Sequence, residues 1–279
     1  MRLCSLILFV CPTVVCQTVP QPLTQVEACR RFEESVVRIE AGPSSGTGFI
    51  IDPAGWIITA MHMVAGDSSN IQVHIHGVSK PVTAELVSPS DNVTRAGDIA
   101  VLKVDKTNLP YLQLGSESVV EDGSPVAVIG FPLSAVFEPK PVEIPKFCLS
   151  GTVVAQVAFP LGGLNYRHSV YFQGVSVKGI SGAPIISLVS GKVIGIVSTK
   201  LTGVSGWLEK TGADLVAIQN TPHATMLYCG QDFTRTLTEL VTTLDNHLAN
   251  GLGSGTGASD AANALEKAKQ DYKRQQRAK

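Results

Sequence analysis

The sequence has few aromatic residues (6%) and few charged residues (16%), and its 22 Lys and Arg nearly balance its 23 Asp and Glu, giving a net charge of −1. So small a net charge gives no general reason to bind nucleic acid. A hydrophobic share of 44% over 279 residues excludes a disordered chain, because disorder needs low hydrophobicity and high net charge. The composition therefore predicts a folded globular protein.

Long hydrophobic runs are also missing. The run from Leu3 to Val15 is shorter than the roughly 20 residues that a helix needs to cross a bilayer. Because it follows the basic start Met1-Arg2, it is typical of a secretory signal. We expect cleavage after Cys16, no membrane span in the mature chain, and export to the periplasm or the extracellular space. A buried strand or an uncleaved anchor is the alternative.

Closely spaced metal-binding cysteine pairs are absent as well. Six cysteines occur without a CxxC pair and without the nearby histidines of a zinc site. Three of them, Cys29, Cys148 and Cys229, follow the predicted signal and allow one disulfide and one free thiol. We expect them to be buried or paired, with no catalytic role and no bound metal.

Short segments rich in Val and Ile recur from Val36 onward, separated by Gly, Pro, Asn, Asp or Ser. About eleven such segments occur, from SVVRIEA at 35–41 to KVIGIVST at 192–199. No amphipathic helix lies between them, which excludes a parallel sheet built from βαβ units. The pattern predicts an all-β protein of antiparallel barrels.

The two ends of this body have different patterns. Residues 24–34 predict a short opening helix within an N-terminal segment, residues 17–35, and hydrophobic residues at helical spacing predict an amphipathic closing helix at 231–250. The Gly- and Ser-rich residues 251–259 predict a linker. Residues 260–279 predict a basic, helix-prone tail that stays in solvent.

Three segments carry residues that form one chemical set. His62 follows WIITA, Asp98 precedes IAVLKV, and Ser181 lies in GISGAP. A serine hydroxyl needs a general base, and that base needs a group that fixes its tautomer and stabilises its cation. His62 and Asp98 supply these roles, with Asp91 as the alternative acid. The amides of Gly179 and Ser181 would form an oxyanion hole, worth roughly 3–4 kcal/mol per donor.

The segments SGTGFIIDPAGWIITAMHMV, GDIAVLKV and GISGAPIIS resemble the three hallmark regions of chymotrypsin-fold serine peptidases, and most closely the HtrA-type branch. The order His, Asp, Ser is that of this clan. The resemblance covers roughly residues 35–220. It implies a peptidase domain at 36–250 with two six-stranded antiparallel β-barrels, at about 36–114 and 120–230. Because only the predicted linker and tail follow, we expect no PDZ domain of the kind that many HtrA-type proteins carry.

The same resemblance implies a serine endopeptidase that needs no metal or cofactor and cuts polypeptides, in this branch exported or misfolded proteins. A substrate peptide would then pair with one strand of the second barrel. Its residues are Val193, Ile194, Gly195, Ile196 and Val197. Oligomerisation is left open.

The nucleophile loop departs from the family pattern at Ile180, where a polar residue is common, and at Ala183, where a second Gly is usual. A β-branched residue beside the nucleophile restricts the turn. A catalytically weak, protease-like peptide-binding module is therefore the alternative function. A lipase or esterase ranks third, because its nucleophile elbow leads from a strand into a helix, whereas Ser181 is followed by another predicted strand.

Two further features stand outside this set. His74 and His76 alternate on one predicted strand and so share a face, which suits either a metal pair or a solvated strand face. Asn92-Val93-Thr94 is a glycosylation sequon, which matters only in a source that glycosylates exported proteins.

Overall fold

The computed structural model describes residues 21–87, 98–132, 145–162, 165–174, 179–200, 227–228, 231–232, 237 and 252–278. Helix α1 (Gln25–Phe32) is capped at its N-terminus by Thr24. The Thr24 hydroxyl accepts a hydrogen bond from the Glu27 amide, and the Glu27 carboxylate accepts one from the Thr24 amide. This capping box starts the helix on a defined residue. The helix buries Ala28 and Phe32, which confirms the predicted opening helix. The signal predicted at 1–16 lies outside the described residues.

The first barrel contains the six strands predicted between Val36 and Val104. The strands are β1 (Val36–Ala41), β2 (Ser44–Asp52), β3 (Trp56–Ala60), β4 (Ile71–His74), β5 (Val82–Leu86) and β6 (Ile99–Val104), closed in the order β1-β2-β3-β6-β5-β4. All their pairings are antiparallel. Helix α2 (Met61–Val64) follows β3 directly.

The second barrel repeats the same strand order with later segments. Its first five strands are β7 (Pro125–Gly130), β8 (Phe147–Gly162), β9 (Asn165–Gly174), β10 (Pro184–Ser187) and β11 (Val193–Lys200). Two short strands, β12 (Leu227–Tyr228) and β13 (Gln231–Asp232), pair apart from it. The barrel closes through β14 (Leu252–Gly257), in the order β10-β11-β14-β9-β8-β7. The predicted fold, two antiparallel six-stranded barrels with a C-terminal helix, is confirmed.

Strand β14 corrects the predicted linker at 251–259 and the predicted end of the second barrel near residue 230. It pairs with β11 on one side and with β9 on the other. A side chain at Gly253 would meet the ring of Phe172, and one at Gly255 would meet the Ile196 carbonyl and Ile185. The glycines are thus explained by close approach of neighbouring strands and not by flexibility.

Helix α3 (Ala258–Ala278) follows β14 without a break. The predicted tail is therefore helical, but its placement in solvent is wrong, because one face is buried. The buried hydrophobic residues are Ala258, Ala261, Ala264, Leu265 and Ala268, and Asp260 is buried as well. Farther along, Tyr272 packs edge-on against Trp56 with ring centroids 5.5 Å apart, and Lys269 forms a 2.9 Å ion pair with Asp52.

This helix joins the two barrels, since its buried face belongs to the same hydrophobic cluster as residues of both. The closing helix predicted at 231–250 lies largely outside the described residues; within it, Gln231–Asp232 form strand β13 and residue 237 is helical. In the part of the chain that the structure describes, no helix is long and apolar enough to cross a membrane.

One disulfide joins α1 to the second barrel. Cys29 and Cys148 are bonded across 119 positions of sequence. Because such a bond restricts the unfolded chain, disulfides typically stabilise a fold by about 2–4 kcal/mol. The structure thus pairs two of the three cysteines for which the sequence left the pairing open, whereas Cys229 lies outside the described residues.

Candidate active site

The first part of the site is a histidine and a carboxylate held together by two adjacent strands. Strand β3 ends at Ala60, opposite Ile99 at the start of β6. His62 and Asp98 therefore lie just beyond paired residues. The amide of His62 donates to Asp98 Oδ1 at 2.8 Å, and His62 Nδ1 lies 2.7 Å from Oδ2. These two contacts orient the ring so that its Nε2 is left available for another group.

Asp98 itself is held in an uncommon backbone conformation. Its φ is +53°, in the left-handed region that aspartate tolerates better than most residues. Its carbonyl accepts a hydrogen bond from the Met61 amide at 2.9 Å. The Ser198 hydroxyl donates to Asp98 Oδ2 at 2.6 Å. Ser198 was not among the predicted site residues, although it is the first polar residue after the apolar run of β11.

Hydrogen bonding keeps the Asp98 carboxyl ionised. Burial raises the pKa of Asp98. The hydrogen bonds and charge of His62, together with the hydrogen bond from the Ser198 hydroxyl, lower it by more than burial raises it, so the pKa lies below the ordinary 3.8. At neutral pH this group is therefore an anion that can stabilise a positive charge on His62.

We expect Asp98→Asn to lower the free energy of unfolding at neutral pH, by an amount that shrinks under acid conditions. A carboxylate whose folded pKa is depressed stabilises the fold fully above its unfolded pKa, near 3.8, and this contribution is lost as the pH falls through the lower folded pKa. Urea unfolding of both proteins from about pH 7 to about pH 2 measures the difference. A difference that stays constant across that range would contradict this prediction.

The Ser181 loop precedes β10 and meets the first barrel. Its two glycines have positive φ, +91° at Gly179 and +84° at Gly182. A Cβ on Gly182 would collide with the Thr47 carbonyl and approach the Ala60 amide, so the loop passes close to the end of β3 that leads to His62. The Ser181 carbonyl accepts a hydrogen bond from the Thr47 amide at 3.0 Å.

The nucleophile loop and the histidine thus come from neighbouring segments of the two barrels. Among the described residues, no hydrogen bond joins the Ser181 hydroxyl to the His62 ring. Such bonds are often long in the absence of substrate and tighten when it binds. The amides of Gly179 and Ser181 donate to no acceptor within the described ranges, as an oxyanion hole requires.

The unusual residues of the loop point into the second barrel. Ile180 is 1% exposed and Ala183 is 0% exposed. Both belong to the core cluster that includes Phe172 and Val197. The Ala183 amide donates to the Ile180 carbonyl at 2.9 Å, closing a tight turn around Ser181. An apolar anchor therefore occupies the position where a polar residue is common in the family that the sequence resembles.

The predicted substrate strand needs correction. The segment Val193–Val197 is paired with β10 along one edge. Strand β14 also pairs with its residues Gly195–Val197, and Val193 bonds to Gln113 and Gly115. An extended peptide can join a sheet only at an edge whose N–H and C=O groups are unpaired. Moreover, the Val197 amide and carbonyl bond to Ala183 and Gly182. These residues build the core behind the nucleophile loop and cannot receive a substrate.

The other histidines in the described ranges have carboxylate neighbours. His74 Nε2 lies 3.0 Å from Glu40 and from the Arg38 guanidinium, and His76 lies 3.8 Å from Glu34. No group of three or more potential metal ligands occurs in the ranges that the structure describes. The sequon at Asn92 lies outside those ranges.

His168, which no motif singled out, repeats the contacts of His62. Its amide donates to Asp260 Oδ2 at 2.7 Å, and its Nδ1 lies 3.0 Å from Oδ1. Glu117, 3% exposed, lies 3.9 Å from the same nitrogen and accepts hydrogen bonds from the Ser259 amide and hydroxyl. This second pair fastens β9 to the beginning of α3.

Comparison with known proteins agrees with this geometry. Residues 46–196 match the model of the trypsin-like peptidase domain family. A probable periplasmic serine endoprotease, DegP-like, from Hahella chejuensis is 32% identical over 165 residues, covering 59% of this chain and 32% of that relative. The mitochondrial serine protease HTRA2 of Drosophila willistoni is 32% identical over 173 residues, covering 58% and 35%.

Solved structures share the fold. The active form of the Rv3671c protease from M. tuberculosis has a TM-score of 0.57 at 21% identity, covering 95% of this chain and 94% of that one. The serine endoprotease from Yersinia pestis has a TM-score of 0.55 at 22% identity, covering 89% and 68%. The chain spans about a third of the length of the curated relatives it matches.

Proposed function

The chain belongs to the trypsin-like peptidase domain family, and from this membership we propose that it is a serine endopeptidase acting through Ser181, His62 and Asp98. The observation that carries the proposal is the double contact between His62 and Asp98, formed beside the loop that holds Ser181. An oriented imidazole next to a serine loop is the arrangement that nucleophilic acyl transfer needs.

In this mechanism Ser181 Oγ attacks the peptide carbonyl while His62 Nε2 takes its proton. Asp98, ionised through its contacts with His62 and Ser198, stabilises the imidazolium that forms. The amides of Gly179 and Ser181 donate to the oxyanion of the tetrahedral intermediate. His62 then gives its proton to the leaving amine, and water, activated by the same imidazole, hydrolyses the acyl-enzyme.

We propose that the substrate pairs with β11 beyond Val197, at Ser198–Lys200. There β11 is bonded to β14 through Thr199 and Lys200, and its pairing with β10 ends at Ile196. Within the described ranges, the edge facing away from β14 has no strand partner at these three residues. A peptide added at this edge would lie beside the Asp98 partner Ser198, within the neighbourhood of the nucleophile loop.

Export is the further part of this proposal. The Cys29–Cys148 disulfide suits an oxidising compartment, since most reducing compartments keep such pairs as thiols. One of the relatives is described as periplasmic and another as mitochondrial. We propose an exported peptidase that acts on exported or misfolded polypeptides.

A fluorophosphonate probe tests the nucleophile. We expect the probe to label the folded protein once, and Ser181→Ala to abolish the label, because only an activated serine attacks the phosphorus centre at a useful rate. Ser187→Ala is the matched control: it removes a buried hydroxyl near the end of β10, and labelling should persist.

The opposite result supports the alternative function. Folded protein that binds peptides but is not labelled would indicate a protease-like peptide-binding module in place of an enzyme.

A further inference from the structure

Thr47, in the middle of β2, is completely buried at the junction of the two barrels. Its hydroxyl donates to the Gly179 carbonyl at 2.8 Å and accepts a hydrogen bond from the Phe131 amide at 3.0 Å. Its own amide donates to the Ser181 carbonyl, and its carbonyl accepts from the Thr59 hydroxyl at 2.7 Å. One residue of the first barrel thus holds the nucleophile loop of the second.

The two bonds to the loop determine how its peptide groups face. Thr47 holds the carbonyl of Gly179 through its hydroxyl and the carbonyl of Ser181 through its amide. The peptide group that carries the Ser181 amide lies between these two fixed carbonyls. Its N–H has no acceptor among the described residues, so it is free to donate to an oxyanion.

The apolar anchor cannot set this orientation by itself. Ile180 fixes where the loop lies, since its side chain is buried in the second barrel. Hydrophobic burial has no directional preference, whereas a hydrogen bond requires both a distance and an angle. The direction of the peptide groups must then come from polar contacts, and Thr47 supplies two of them.

We propose that Thr47 is a positioning residue for the oxyanion hole. It touches neither the substrate nor the reacting atoms, and it acts through Gly179 and Ser181. This inference rests on the proposed peptidase function. The backbone around it makes room for the hydroxyl, because a Cβ on Gly130 would lie 2.7 Å from Thr47 Oγ1.

The test replaces the hydroxyl and keeps the shape. Thr47→Val leaves the Gly179 carbonyl and the Phe131 amide buried without partners. We expect kcat for a peptide substrate to fall by about tenfold or more with KM changed less than about twofold, since the loss of one oxyanion donor costs about 10²–10³ in kcat. Thr47→Ser, which keeps the hydroxyl, should return kcat to within about threefold of wild type.

A matched control separates positioning from general weakening of the fold. Thr256→Val removes a hydroxyl from another buried threonine, in β14, and we expect it to leave kcat within about twofold of wild type. If Thr47→Val and Thr47→Ser have equal kcat, or if Thr47→Val keeps the wild-type kcat, the inference is overturned. If Thr47→Val and Thr47→Ala both fail to fold, the residue is a folding requirement and the inference is again overturned.

Hydrogen exchange of the Gly182 and Ala183 amides provides a readout that does not depend on activity. Both amides close the turn around Ser181, donating to Val197 and Ile180. We expect Thr47→Val to accelerate their exchange relative to wild type and to Thr256→Val. If Thr47→Val exchanges these amides faster but the wild type hydrolyses no peptide, only the peptidase function is refuted. If Thr47→Val leaves their exchange unchanged, the role of Thr47 is refuted.

Discussion

Replacing His62 by alanine is expected to lower kcat for peptide hydrolysis by about 10⁴- to 10⁶-fold. The variant lacks the imidazole that is proposed to take the Ser181 proton and return it to the leaving amine. Residues that act as one unit do not add, so the double variant Ser181→Ala/His62→Ala should be no slower than the worse single variant. Burst and steady-state assays with a chromogenic peptide ester and a peptide amide measure these rates.

His168→Ala is the matched control for that experiment. His168 makes the same two contacts with Asp260 that His62 makes with Asp98. Because it lies on β9 beside α3 and not beside Ser181, its loss should reduce stability and leave kcat within about twofold. A His168→Ala variant as inactive as His62→Ala, or a His62→Ala variant with wild-type kcat, would refute the assignment of His62 as the base.

Removing residues 252–279 is expected to abolish cooperative folding. Strand β14 lies between β9 and β11, so its loss leaves two strand edges unpaired and opens the second barrel. The buried face of α3 is lost with it. Since the whole fold of a domain is stable by only about 5–15 kcal/mol, a missing barrel strand exceeds what the remainder can compensate. Circular dichroism and thermal unfolding of the purified chain measure the outcome.

A shorter deletion serves as the control. Removing residues 274–279 keeps Tyr272 against Trp56 and Lys269 against Asp52. Residues 274–277 are exposed, and the deletion also removes the Arg274–Asp271 ion pair at the surface. Surface pairs contribute about 0–1 kcal/mol, so this variant should unfold at nearly the wild-type temperature. The prediction fails if the longer deletion also melts cooperatively near that temperature.

Local pattern was enough to predict the first eleven strands. Each has Val or Ile in a segment between turn residues, and this signal needs no knowledge of the partner strand. Strand β14 lacks the signal, because LGSGTG contains one large apolar residue. Its place depends on Phe172 and Ile196 of other strands, which leave no room for side chains. From its Gly and Ser content alone, this segment is therefore predicted to be a linker.

The candidate site likewise contains residues that local motifs predict and residues that only the folded structure reveals. His62, Asp98 and Ser181 could be proposed from the sequence because each stands at a strand end in a recognisable motif. Ser198 bonds to Asp98, 100 positions away, and Thr47 bonds to Gly179, 132 positions away. The residues next to them in sequence do not indicate these contacts. The error over Val193–Val197 has a related cause, since only the sheet pairing reveals which part of β11 is occupied on both edges.

Strand β14 also orders events during biosynthesis. Ser181 precedes Leu252 in the chain, so a ribosome finishes the nucleophile loop well before the residues that close its barrel exist. A growing polypeptide therefore carries its serine on an unclosed sheet, where the oxyanion loop has no finished support. We expect no hydrolysis from nascent chains that end before Leu252.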